Sequence, residues 1–113
     1  MAATKFQADN LTAMIDINGY QQTGPTAEVL DLRPLAPKWE AFGWAVQEIN
    51  GNDMESCLKA LQQAQSIRGR PSVILAQTAK GYPIADLLSE KNYHGKALSE
   101  EDAAKALAFL DAH

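Results

Sequence analysis

Apolar positions along this chain fall into two kinds of pattern, short unbroken runs and longer stretches with a three-to-four-residue spacing. The first run is Leu11-Thr12-Ala13-Met14-Ile15-Asp16-Ile17, bounded by Asp9-Asn10 and Asn18-Gly19. Near-continuous apolarity of this length predicts a strand covered on both faces, as in a parallel sheet. Trp44-Ala45-Val46-Gln47-Glu48-Ile49 and Ser72-Val73-Ile74-Leu75-Ala76-Gln77 predict two more strands. Between the first two, Leu35, Trp39 and Phe42 have helical spacing. They predict a helix over residues 33–42, with Pro34 and Pro37 tolerated in its first turn and Gly43 ending it. Met54, Cys57, Leu58, Leu61 and Ala64 follow the i, i+3, i+4, i+7 rule and predict an amphipathic helix over 54–65. The turn Asn50-Gly51-Asn52-Asp53 can cap that helix, and Arg68-Gly69-Arg70-Pro71 breaks it. Ser99 with Asp102 makes a capping-box-like start for a last helix carrying Ala103, Ala106, Leu107 and Leu110 on one face. The first seven residues read as the tail of an Ala-rich helix, and residues 78–96 as a loop containing Gly and Pro.

Strands alternating with helices predict an α/β fold with a parallel sheet. Ligands of such sheets bind outside the carboxyl ends of the strands. Residues 18–26, 50–53 and 78–96 occupy those ends. Asn18-Gly19 is a hairpin signal, but the residues after it are polar and close on Gly24-Pro25, so 20–26 read as a long functional loop. The amide oxygen of Asn18 and the main-chain carbonyl of Tyr20 are donors that a hard cation such as Mg²⁺ accepts. Lys80, beside Gly81, can offer an ammonium and bare backbone to a phosphate. His94 lies in a loop able to fold over the same edge, where a histidine can serve as an acid or base. On spacing alone, a plain turn, a solvated lysine and a surface histidine account for these residues better than a ligand site does. Core packing accounts for Trp39 and Trp44.

Composition narrows the class without naming the chemistry. A chain of 113 residues fits one compact domain. With 46% apolar and 21% charged residues it is ordinary globular material rather than a disordered segment. A net charge of −4 with both signs interspersed argues against a nucleic-acid footprint or a basic membrane patch. No apolar run approaches the roughly 18 residues of a membrane span. The single cysteine, Cys57, lies in a helical pattern as a small hydrophobe, which suits a reducing, cytoplasmic compartment. The chain carries no zinc cluster, P-loop or nucleophile–base triad.

Taken together, four segments resemble the N-terminal half of transketolases. They are residues 11–26, residues 34–44, Thr78-Ala79-Lys80-Gly81 and Tyr93-His94-Gly95-Lys96, in matching order along essentially the whole chain. The resemblance is strongest to bacterial transketolases whose two halves are separate chains. It implies the C-terminal half of a thiamine-diphosphate-binding fold, a partial parallel sheet with flanking helices. In that family thiamine diphosphate is held by a Gly-Asp-Gly motif and, further along, an Asn. The Asp and Asn bind Mg²⁺ (or Ca²⁺), which grips the diphosphate. The resemblance makes Asn18 that Asn and Tyr20 the residue whose carbonyl also ligates the metal. It implies that Asn18, Gly19, Tyr20, Gln22, Lys80 and His94 bind the cofactor. His94 would also act catalytically, near the diphosphate and the donor-substrate oxygens. Gln77 stands where many relatives carry His or Lys.

The chain departs from the family in lacking the Gly-Asp-Gly segment, expected shortly before Met1, and the pyrimidine-binding half with its activating glutamate. The expectation is therefore one partial domain, residues 1–113, serving in a transketolase that moves a two-carbon ketol unit between sugar phosphates. The remaining segments or subunits would be its partners, in a homo- or hetero-oligomer without nucleic acid or membrane, and the chain alone would be inactive. Two other readings stay open. One is a stand-alone, non-catalytic interaction module. The other is part of a different thiamine-diphosphate enzyme, such as a deoxyxylulose-phosphate-synthase-like one.

Overall fold

The computed structural model describes residues 1–88 and 93–113. Its elements run α1 (Ala2–Lys5), β1 (Thr12–Ile17), β2 (Tyr20–Gln21), β3 (Gly24–Pro25), α2 (Thr26–Val29), α3 (Leu35–Ala41), β4 (Ala45–Asn50), α4 (Met54–Ser66) and β5 (Ser72–Gln77). A short 3₁₀ turn (Ala85–Leu87) and α5 (Glu100–Asp111) follow. The sheet has the order β1-β5-β4, with both pairings parallel. Ile17 and Asn50 both stand opposite Gln77, so all three strands end at one level. The mixed α/β fold with a parallel sheet and flanking helices is therefore the architecture of the described residues.

The last strand in sequence takes the centre because its run is the most apolar. Residues 72–76 of β5 are all buried. Val73 and Leu75 join Trp44 in a core against which Ile15 and Ile17 of β1 and Leu35, Ala36 and Trp39 of α3 pack. Trp39 and Trp44 meet edge to face, with ring centroids 4.8 Å apart, a favourable aromatic geometry. Alternation along β5 turns Ile74 to the opposite face. On that face, α4 buries the small residues Ala60 and Ala64, and Gln47 donates from β4 to the Ala60 carbonyl at 3.1 Å.

Strand β1 differs from expectation. Its burial alternates, and Met14 is 52% exposed. Ala13, Ile15 and Ile17 face the core, whereas Thr12, Met14 and Asp16 face outward. The strand lies at the sheet edge, and α4 packs over β4 and β5 rather than over it. An unbroken apolar run thus marks a both-faces strand only where helices cover both faces, and here that strand is β5.

The two long helices start as the sequence indicates. Asp53 accepts from the Glu55 and Ser56 amides, both at 3.2 Å, and from the Ser56 hydroxyl at 2.5 Å. Ser56 and the two amides hold the Asp53 carboxyl below its ordinary range. A carboxyl with a lowered folded-state pKa contributes stability above its unfolded value and loses it as pH falls through the folded value. Asp53→Ala should therefore lower the urea midpoint at neutral pH, and its difference from the native chain should shrink below about pH 4. Parallel urea titrations at the two pH values check this. At the second cap Ser99 Oγ accepts from the Asp102 amide at 3.1 Å. The Asp102 carboxylate itself is buried and accepts from the Tyr93 hydroxyl at 2.5 Å. No helix among the described residues is long and apolar enough to cross a membrane.

Candidate functional site

At the carboxyl end of β1 the chain turns through Asn18 and Gly19. Asn18 Oδ1 accepts from the Tyr20 amide at 3.0 Å, closing a side-chain turn. Gly19 has φ +79°, a left-handed conformation that glycine takes without a Cβ penalty. The next residues form a miniature antiparallel ribbon, with Tyr20 opposite Pro25, Gln21 opposite Gly24, and Gln22 and Thr23 at the tip. The segment expected as a loop is thus a hairpin, whose turn lies four residues beyond the Asn18-Gly19 signal. Its Gln22-Thr23 turn has no Gly, Asn or Asp to mark it in the sequence.

The ribbon sets the direction of the Tyr20 carbonyl. The Thr26 amide donates to the Gly19 carbonyl at 2.9 Å, making the pair next to Tyr20–Pro25 the hydrogen-bonded one. Antiparallel pairs alternate, so Tyr20 and Pro25 form a non-bonded pair whose own polar groups point away from the partner strand. Proline lacks the amide that would bond Tyr20 in any case. The Tyr20 carbonyl therefore lies on the same side of the ribbon as its amide, toward Asn18 Oδ1.

Two cavities adjoin this corner, with Asp16 and Asn18 in the walls of both. One, of about 470 Å³, is lined chiefly by Ile15, Ile17, Tyr20, Leu30 and Leu35. Arg33 borders it, yet its guanidinium is bound to Asp31 by bonds of 2.9 and 2.7 Å. That pairing holds the Asp31 carboxyl well below the usual carboxylate range. The other cavity, of about 360 Å³, is lined by Asp16, Asn18, Asn52, Thr78, Lys80 and Tyr82, among others. The β4–α4 turn builds its floor. The Gly51 amide donates to the Gln77 carbonyl at 2.6 Å, and Asn52 Oδ1 accepts from the Ala79 amide at 2.7 Å. A Cβ on Gly51 would stand 2.6 Å from Thr78 Cγ2 and 2.9 Å from the Ala76 Cβ, so only glycine brings this turn so close to β5.

Asn18, Gly19, Tyr20 and Lys80 thus gather at the strand ends, Asn18 sharing one cavity with Lys80 and the other with Gly19 and Tyr20. Gln22 and His94 line neither cavity; both are exposed, and His94 follows Tyr93, which is held to α5 through Asp102. Residues 89–92 of the expected 78–96 loop lie outside the described residues. Asp16 joins the site without having been expected there, while Asn52 and Thr78, which lie in segments expected at the strand ends, join it without having been singled out as site residues. Asp16 carried a usable signal, a carboxylate within an apolar strand and two positions before Asn18. For Asn52 and Thr78 the sequence placed the segments at the strand ends, and the structure added their partners, Ala79 and Asp16.

The donor set suits a hard cation in part. The Asn18 amide oxygen keeps one lone pair after the Tyr20 bond, and the Tyr20 carbonyl is turned to the same side. Among the described residues no three His, Cys, Asp or Glu side chains are grouped to hold a metal by themselves.

The profile of the family described as "Transketolase, thiamine diphosphate binding domain" matches residues 1–111. The chain belongs to this transketolase family. It is 39% identical over 103 residues to a 6-deoxy-6-sulfo-D-fructose transketolase subunit from a Clostridium species, covering 91% of this chain and 38% of that one. It is 36% identical over 110 residues to an apulose-4-phosphate transketolase subunit from Actinobacillus succinogenes, covering 97% and 40%. The crystal structure of transketolase from Campylobacter jejuni superposes with a TM-score of 0.63 at 30% identity, over 67% of this chain and 12% of that enzyme. This transketolase-family chain therefore spans two fifths or less of each of these relatives.

Proposed function

We propose that this chain is a component of a cytoplasmic transketolase that transfers a two-carbon ketol unit between sugar phosphates with thiamine diphosphate and Mg²⁺ (or Ca²⁺). The chain, as one partial domain, contributes part of the metal and diphosphate corner. Other segments or subunits supply the Gly-Asp-Gly carboxylate and the pyrimidine-binding half. The observation that carries this reading is the Asn18 side-chain turn at the end of β1, whose amide oxygen accepts from the Tyr20 amide in the wall of the cavity that holds Lys80. The Asn18 amide oxygen and the Tyr20 carbonyl are the cation ligands, and a carboxylate from outside completes the set. Lys80 meets the diphosphate as a point charge, Gly19 lets the chain turn close to it, and Gln22 contacts the cofactor from the ribbon tip. His94 hydrogen-bonds near the diphosphate and moves a proton at the donor-substrate oxygens. When bound, the cofactor supplies carbanion stabilisation, while the protein binds and orients it. Two relatives are named as transketolase subunits, which supports a partner polypeptide here.

Calorimetric titration of thiamine diphosphate with Mg²⁺ tests the proposal, using the chain alone and the chain with the polypeptides that complete the enzyme. Tight binding and ketol transfer are expected only in the completed assembly. Micromolar binding by the isolated chain would contradict the shared-site reading. A folded homo-oligomer that never binds cofactor would favour a non-catalytic module.

A further inference from the structure

Asp16 is an odd residue for its position. Carboxylates are depleted in strands, and this one interrupts an otherwise apolar β1. It shares a strand face with Asn18, two positions on. Asp16 Oδ2 accepts from Asn18 Nδ2 at 3.2 Å, and Oδ1 accepts from the Thr78 hydroxyl. Thr78 directly follows β5 and begins the segment that carries Lys80. One carboxylate therefore joins the cation corner to the lysine segment across two strands.

The chemistry of the two side chains gives this contact a direction. A primary amide is nearly symmetric in shape, and its oxygen and nitrogen exchange places by a flip. An ionised carboxylate accepts hydrogen bonds and donates none. Next to Asp16, Asn18 must present its NH₂, which turns Oδ1 toward the Tyr20 amide and leaves its second lone pair for a ligand. We infer that Asp16 is a positioning residue, whose carboxylate sets the orientation of the Asn18 amide so that its oxygen faces the cation. The inference rests on the reading of the Asn18 corner as a cation site. Asp16 acts through Asn18 and touches neither metal nor substrate.

The test is a double-mutant cycle on the completed assembly, read as apparent Mg²⁺ affinity at fixed thiamine diphosphate rather than as turnover. Asp16→Asn is close to isosteric but can donate as well as accept, so it leaves the Tyr20 amide alone to set the orientation of the Asn18 amide. It is expected to weaken Mg²⁺ by about 10–100-fold, the usual cost of removing a hydrogen-bond partner of a metal ligand. In an Asn18→Ala background the same substitution should change affinity by no more than about twofold, because nothing remains to orient. An equal loss in both backgrounds would overturn the inference, since Asp16 would then act without Asn18. So would an unchanged affinity in Asp16→Asn while Asn18→Ala weakens binding, and in that case the cation site itself stands. If Asn18→Ala alone has no effect, the cation-site reading fails and takes the inference with it. Should Asp16→Asn not assemble, Thr78→Val frees the other end of the carboxylate. It should weaken Mg²⁺ several-fold only when Asn18 is present, and no change would again overturn the inference.

Discussion

Leu75→Ala is expected to lower the free energy of unfolding by about 2–5 kcal/mol, the usual cost of truncating a large aliphatic side chain in a packed core. Leu75 is 1% exposed on the central strand and packs with Trp44 and Val73. Few other residues can absorb the loss. The buried apolar set is small and rich in alanine, with Ala45, Ala60, Ala64, Ala76 and Ala106 among its members. Against a total stability of about 5–15 kcal/mol for an ordinary domain, one such cavity consumes a large share. The urea midpoint should fall while the slope of the transition stays constant, as for a change in stability without a change in compactness. Leu107, 63% exposed on α5, is the internal control. Leu107→Ala should stay within about 0.5 kcal/mol of the native chain. Equal effects at the two positions would mean that β5 is not the centre of the core.

The second large effect concerns the proposed cation corner. Asn18→Ala should weaken Mg²⁺-dependent binding of thiamine diphosphate to the completed assembly by about 100-fold or more, since altering residues behind a ligand already costs about 10–100-fold. The substitution also removes the turn bond to the Tyr20 amide and the donor to Asp16. That structural loss is worth about 1 kcal/mol for a typical hydrogen bond and should appear in the melting of the cation-free chain. The two contributions separate by measurement. Thermal unfolding without cation reads the turn, and titration of Mg²⁺ at saturating cofactor reads the ligand. A modest melting shift with no loss of Mg²⁺ affinity would reduce Asn18 to a turn residue.

Much of this fold was legible along the chain because the relevant forces act locally. The spacing of Met54, Cys57, Leu58, Leu61 and Ala64 located α4, and Asp53 and Ser99 cap the two long helices where their side chains reach the first free amides. The alternation of strands and helices led to a parallel sheet. The burial of β1 was not legible, since the run of residues 11–17 is apolar whether or not a helix covers its outer face. Nor was the Gln22-Thr23 ribbon, which has no turn signature and closes through pairing and the Thr26–Gly19 bond.

The candidate site divides in the same way. Sequence alone determined that an Asn-Gly pair ends the first strand, that Lys80 follows the last, and that both fall at the carboxyl edge of a parallel sheet. Those outcomes depend on periodicity, on glycine's backbone freedom and on the order of elements. The tertiary structure decided which residues complete the corner. Asp16 meets Thr78 only because β1 and β5 pair in register, and Asn52 reaches Ala79 only because Gly51 lets its turn lie against β5. Contacts between residues 27 and 62 positions apart depend on the register between strands, and no local pattern encodes that register.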